Sequence, residues 1–239
     1  MGGATDVLIQ GNEVWANNIN GFDFDWEAGG VKVAESRGVV FTGNHVHHNI
    51  GPGLWCDVNC RAVLFENNTV EDNAAAGIFY EISSDAVIRD NTLRQNGQAV
   101  SSWFWGADIQ IAASGNVQVY ANSVTVRPEG RAIMLIDQNR PMPTTGYYKT
   151  QKDRVYRNTI TFLGEGVAGG ASDATFLAAN YGIIQGGGNS FDDNIYRAPA
   201  GIAPRFVWGE SQIDFAAFRR AGQEQHGSLT VPGLSARPR

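Results

Sequence analysis

Three stretches decide the fold. Arg37–Asn49 reads RGVVFTGNHVHHN, Arg61–Asn73 reads RAVLFENNTVEDN, and Asp85–Asn96 reads DAVIRDNTLRQN. Each sets apolar residues at alternate positions, then an Asn, then another apolar residue, then a second Asn. Fainter copies are DVLIQGNEVWANN at Asp6–Asn18, NVQVYANSVTV at Asn116–Val126 and DRVYRNTITF at Asp153–Phe162. With the first Asn as marker, the copies fall at Asn12, Asn44, Asn68, Asn91, Asn122 and Asn158, in steps of 32, 24, 23, 31 and 36 residues. Recurrence at this period is the signature of a solenoid. The two short steps show a bare rung, and the longer ones a rung plus an inserted loop.

Alternation at period 2 specifies strands. Val39 and Phe41, and Val63 and Phe65, are expected to face inward, with Val46 and Val70 inward on the following strand. Strands this short cannot bury a face alone, so stability must come from stacking on the rungs above and below. The repeated Asn suits such a coil, because an amide can donate and accept at the strand spacing and Asn tolerates left-handed turn geometry. Hairpins with Asn-rich turns in a sandwich are the weaker account, since the Asn and apolar positions keep one register throughout. A third strand closes each rung at Gly30–Val33, Gly53–Val58, Gly77–Ile82 and Asp108–Ile111. There Leu54, Cys56, Val58, Ile78, Tyr80 and Ile82 are expected to point in, and Trp55, Asp57, Phe79 and Glu81 out. Arg140–Gln151 and the Gly-rich Gly164–Gly170 are expected as loops. Ser211-Gln212-Ile213-Asp214 reads as a capping box that opens a short helix, Asp214–Arg220, stopped by Gly222 and placed to cover the last rung. The expected organisation is an all-β, right-handed parallel β-helix over residues 1–205, with a C-terminal cap and tail over 206–239.

Composition agrees. The chain has 239 residues, 43% of them hydrophobic, only 18% charged, and 29 glycines, which suits stacked strands with tight turns better than helices with charged outer faces. A net charge of −6, with Arg and Lys scattered, argues against a nucleic-acid partner. No apolar run is long enough to span a membrane, and Met1–Thr5 carries no secretion signal. Strand pattern begins at once at Asp6, with no capping element, so contact of the first rung with a further segment or a second copy is expected. Cys56 and Cys60 would stand too far apart along an extended strand for a disulfide.

The segments GGVKVAESRGVVFTGNHVHHNIGPGLWCDVNC and AAGIFYEISSDAVIRDNTLRQNG resemble the right-handed parallel β-helix, or pectin-lyase-like, superfamily, and in particular a group of bacterial members. That superfamily includes pectin and alginate lyases, polygalacturonases, epimerases and phage tailspikes. The ending FVWGESQIDFAAFRRAGQEQHGS is similar to the tail of secreted carbohydrate-active β-helix proteins. The resemblance implies the coil, secretion, and a polysaccharide or oligosaccharide as partner. It does not fix the reaction: the paired Asp with Gly-His-Gly of polygalacturonases, the Arg-x-Pro-x-x-Arg of pectate lyases and the Asp-Pro-His-Glu of mannuronan epimerases are all missing.

Asp57 and Glu81 form the leading chemical pair. Equivalent outward positions on adjacent rungs would put them about 5 Å apart, the spacing of a retaining glycosidase. Two close carboxylates also separate their titrations, which helps one stay protonated. A solvated acidic ladder is the competing account, and a Ca²⁺ ion could relieve the repulsion; no other cofactor is expected. Trp55 and Phe79 would offer flat platforms for sugar rings, with Trp103 and Trp105 walling the same groove. Glu27 is a further acid in reach, Lys32 a charge-neutralising group or base unless paired with Glu27 or Glu35, and Asp108 a further groove residue. His45, His47 and His48 cluster, but the next rung carries Thr69 and Glu71 rather than alternating ligands, so no metal is expected there. Acids outnumber the one cation, Lys32, which favours a glycoside hydrolase over a polyuronate lyase or epimerase. A non-catalytic glycan-binding or structural coil is the third reading.

Overall fold

A computed structural model describes residues 2–100, 103–174 and 181–233. Its strands form three sheets of seven, eight and eight strands, and every pairing between successive rungs is parallel. The first sheet contains Val40–Thr42, Arg61–Glu66 and Ser84–Arg89; the second His45–His47, Thr69–Glu71 and Thr92–Arg94; the third Val31–Ala34, Leu54–Asp57, Ile78–Glu81 and Ala107–Ala112. This is the parallel β-helix that the repeat demands. Val39, Phe41, Val46, Val63, Phe65 and Val70 are all buried in one continuous core inside the coil. Stacked rungs place like on like: the rings of Phe41 and Phe65 lie parallel with centroids 4.8 Å apart.

Two columns of amides line the turns. The longer runs Asn12, Asn44, Asn68, Asn91, Asn122, Asn158 and Asn194; the shorter runs Asn17, Asn49, Asn73 and Asn96. In each, the side-chain Nδ2 donates to Oδ1 of the next rung's Asn at 2.9–3.0 Å, and a backbone N–H donates to the same oxygen. The amide satisfies its neighbours, so burial costs little. Left-handed geometry falls one residue earlier than the sequence suggests. Asn67, Asp90, Ala121, Arg157 and Asp193, each just before a column Asn, have φ of 55–59°. The column Asn is therefore chosen for its side-chain bonds, and the turn strain rests on the residue before it.

The third sheet is buried on both faces, as Leu54–Asp57 and Ile78–Glu81 show at every position. Outside it lies a second apolar cluster that includes Trp55, Phe79, Phe104, Met134, Ile136 and Val207. Gly164–Gly170, expected as a loop, is mostly strand: Gly166–Ser172 pairs with Gly130–Asp137 and Arg205–Gly209. Glycine there reflects close approach, since a Cβ on Gly169 would stand 2.0 Å from the Val207 carbonyl oxygen. Val58 is not inward but sits in the turn with φ 48°, followed by Asn59 at 57°. That bend replaces the extended course from Cys56 to Cys60: both are buried free thiols, and the Cys60 thiol donates back to the Asp57 carbonyl at 3.3 Å.

The C-terminal helix forms as Phe215–Arg220, with the Asp214 carboxylate accepting from the Ala217 N–H at 2.7 Å. Its Phe218 is buried against Phe206 and Phe191, so the helix closes the hydrophobic end of the coil. A second short helix, Tyr181–Gly186, has no signal in the alternation; it contributes Ile184 to the core.

Candidate functional site

Parallel register sets Lys32 beside Trp55 and Trp55 beside Phe79, two positions before Ala34, Asp57 and Glu81. Asp57 and Glu81 thus occupy one outward column on adjacent rungs, as the repeat predicts, with backbones about 4.8 Å apart. Each is 8% exposed. Lys32 Nζ pairs with Asp57 Oδ2 at 2.9 Å, and Arg140 Nη1 donates to Glu81 Oε1 at 2.6 Å. The two acids stand side by side, and each is paired with one cation, Asp57 with Lys32 and Glu81 with Arg140. Burial, then the charge of Asp57, pushes the Glu81 carboxyl up to about 7 against the opposing pull of Arg140 and Lys32.

Arg140 has no warning in the sequence. It comes from a strap between the Gly130–Asp137 strand and the next rung. Pro141 bridges to Tyr147, and the strap folds back over earlier rungs until the Tyr148 hydroxyl donates to Asn59 Oδ1 at 3.0 Å. The strap's length and two prolines mark an insertion, but nothing in it names the rung it reaches.

The remaining candidates divide. Glu27 is exposed and lines a cleft of about 510 Å³ with Lys32, Ala34, Asp57 and Val58, so it joins the pair's open side. Lys32 is paired with Asp57, not with Glu27 or Glu35; it also donates to the Trp26 carbonyl and lies 3.6 Å above the Trp55 ring. A cation so held neutralises charge and is not placed to serve as a base. Trp55 and Phe79 are not open platforms. They are 2% and 9% exposed and stacked at 5.4 Å in the outer apolar cluster, because loops cover that face of the third sheet. Trp105 packs edge-on against Phe79 and donates Nε1–H to Asp173, whereas Trp103 is exposed. Of the four aromatics, Trp103 alone keeps a surface suited to a sugar ring.

Asp108 is displaced from the groove altogether. It aligns with Gly77 rather than Glu81, is fully buried, and ends the shorter amide column: its Oδ1 accepts from Asn96 Nδ2 at 2.8 Å and from the Asn96 N–H at 3.1 Å. Its Oδ2 has no hydrogen-bond partner among the described residues, and burial pushes its carboxyl from 3.8 up to about 7. The folded state therefore holds a proton that the unfolded chain releases. Its stability is full below the unfolded value and falls as pH rises from 3.8 to about 7. Asp108→Asn should lack that slope and exceed the wild type by about 4 kcal/mol at pH 8, less the cost of one unpaired amide N–H. Urea unfolding of both proteins across this range measures the difference; parallel curves would refute it.

The stacked parallel rungs place the chain among the solenoid proteins. Residues 1–124 match the family described as "Right handed beta helix region", and the chain belongs to that family. Among curated proteins none matches the sequence. Among solved structures, that of DFA-IIIase from Arthrobacter chlorophenolicus A6 in complex with DFA-III aligns at 10% identity with a TM-score of 0.34. The alignment covers 86% of this chain and 54% of that one, so the chain spans about half the length of the enzyme. At that level the likeness bears on neither substrate nor mechanism.

Proposed function

We propose that the chain is an extracellular carbohydrate-processing β-helix protein that hydrolyses a glycosidic bond, with Glu81 as proton donor and Asp57 as the paired carboxylate. One observation carries this reading: two carboxyls share an outward column on adjacent rungs, and burial beside Asp57 keeps Glu81 protonated up to about 7. An acid near neutrality next to a salt-bridged carboxylate is the division of labour that glycoside hydrolysis needs. Glu27 and Lys32 line the cleft on the Asp57 side, where a sugar chain would enter, and Trp103 offers the exposed ring. Neighbouring positions on adjacent rungs, with backbones about 4.8 Å apart, suit the short carboxyl separation of a retaining enzyme.

Arg140 gives a second reading its footing. Lys32 and Arg140 balance the two acids, so a polyuronate would not be repelled as the sequence suggests, and lyase or epimerase chemistry needs such a cation beside the substrate carboxylate. Incubating the full chain with a panel of neutral and uronate polysaccharides separates the readings. New reducing ends without ultraviolet absorbance of an unsaturated uronate are expected. Absorbance growing with the ends would establish a lyase, and glycan retention without new ends a binding coil.

A further inference from the structure

We infer that Glu13, His45 and His47 form a binding site for a divalent transition-metal ion such as Zn²⁺ on the outer face of the second sheet, away from the carboxylate pair. The sequence looks for a third ligand on the rung after the histidines and finds Thr69 and Glu71. The structure supplies it from the rung before. Glu13–Trp15 pairs with His45–His47 in parallel, Glu13 opposite His45 and Trp15 opposite His47. One carboxylate oxygen of Glu13 and one imidazole nitrogen from each of the two histidines all lie within 4.8 Å of one another. Four-coordinate Zn²⁺ with bonds of about 2.0–2.1 Å sets its donor atoms about 3.3 Å apart. Glu13 and His47 already meet that spacing at 3.3 Å, and Glu13 is exposed enough to rotate toward the third group.

The neighbours hold the rings in place for this. Glu71 fixes His45 through Nε2 at 2.8 Å and is itself fixed by Arg94 at 3.1 Å. Trp15 stacks on His47, interplanar angle 9°. His47 Nδ1 faces His48 Nδ1 at 2.8 Å. Two imidazole nitrogens at that distance share one proton, so at least one of them presents a lone pair. When His47 Nε2 ligates, the proton between the rings sits on His47 Nδ1 and is donated to His48, which is how a ligating imidazole is oriented by its second nitrogen. Two imidazoles with a carboxylate select Zn²⁺, Ni²⁺ or Cu²⁺ over Ca²⁺ and Mg²⁺, which prefer oxygen alone. With three protein ligands the ion keeps a coordination position for water.

Calorimetric titration of Zn²⁺ into the full chain tests the site, with Ca²⁺ as a parallel arm. One equivalent of Zn²⁺ should bind saturably, and Ca²⁺ should not compete for it. His47→Gln and Glu13→Gln should each weaken Zn²⁺ at least tenfold, while His226→Gln, at a distant exposed His–Asp pair, should match the wild type. Circular dichroism and melting temperature check folding. Glu13 is the more exposed of the two, so its variant decides if His47→Gln does not fold. Absence of saturable Zn²⁺ binding in the wild type, or unchanged binding in Glu13→Gln, would overturn the assignment.

Discussion

Replacing Glu81 by Gln is expected to lower the rate of glycan cleavage by about two to four orders of magnitude, the usual contribution of a positioned general acid. Gln keeps the shape and an oxygen for Arg140 but has no proton to give. Stability should survive the change. In the wild type, the Glu81 carboxyl rises from 4.5 unfolded to about 7 folded, so the protein loses stability as pH climbs between those values. Gln removes that loss, partly offset by the weaker bond to Arg140. Activity and stability should therefore move in opposite directions above neutral pH, which a collapsed site would not produce. The wild-type rate should also fall as pH rises through about 7, where the donor loses its proton. If Glu81→Gln cleaves as fast as the wild type, the site assignment is wrong.

Asn68→Ala should be the most damaging single truncation in the coil. Its Nδ2 donates to the Phe41 carbonyl and to Asn91 Oδ1, and its Oδ1 accepts from the N–H and Nδ2 of Asn44, all at 2.9–3.0 Å. Alanine removes four buried hydrogen bonds on two rungs, although Asn91 Oδ1 keeps the backbone N–H of position 68 and Asn44 Nδ2 keeps the Ile9 carbonyl, and each loss costs about 1–1.5 kcal/mol. A loss of at least about 4 kcal/mol is expected, comparable to the whole stability of many domains. Asn68→Asp should do no better, despite its matching size. A carboxylate can accept from Asn44, but it would turn a second oxygen on the Phe41 carbonyl and Asn91 Oδ1, which both need a donor. Urea unfolding of the two variants decides the matter, and a loss below about 1 kcal/mol in both would show that the column contributes little.

The coil was legible because its information is local and repeated. Alternation at Val39–Phe41 and Val63–Phe65, the Asn marker, and the short helix after Asp214 each report on their own few residues, and the structure realises all three, although Asp214 itself caps the helix and Gln212–Ile213 is strand instead of the capping box that Ser211 would open. The column of Asp57 over Glu81 was legible for the same reason, since rung-to-rung register follows from the repeat. What failed was local reading of long-range cover. Trp55 and Phe79 point outward as the alternation says, yet loops bury them in a second cluster. Arg140 arrives at Glu81 from 59 residues away along a strap whose course no periodicity encodes. Asp108 looked like a groove acid because it opens a strand; its true neighbour is Asn96, in a turn column that the alternation of the third sheet does not describe.

The amide columns also have a direction. Every Asn hands its Nδ2 proton to the oxygen of the rung that follows, so the last member must accept without giving. Both columns close accordingly on an acid: Asp108 receives from Asn96, and Glu224 receives from Asn194 and from the Tyr196 hydroxyl. A duplicated 23-residue unit spanning 68–90 would slot into the middle of the coil with donors and acceptors still matched on both sides. Such a molecule can lengthen by gene duplication between its ends, while the terminal carboxylates act as fixed stops that no copied rung can replace.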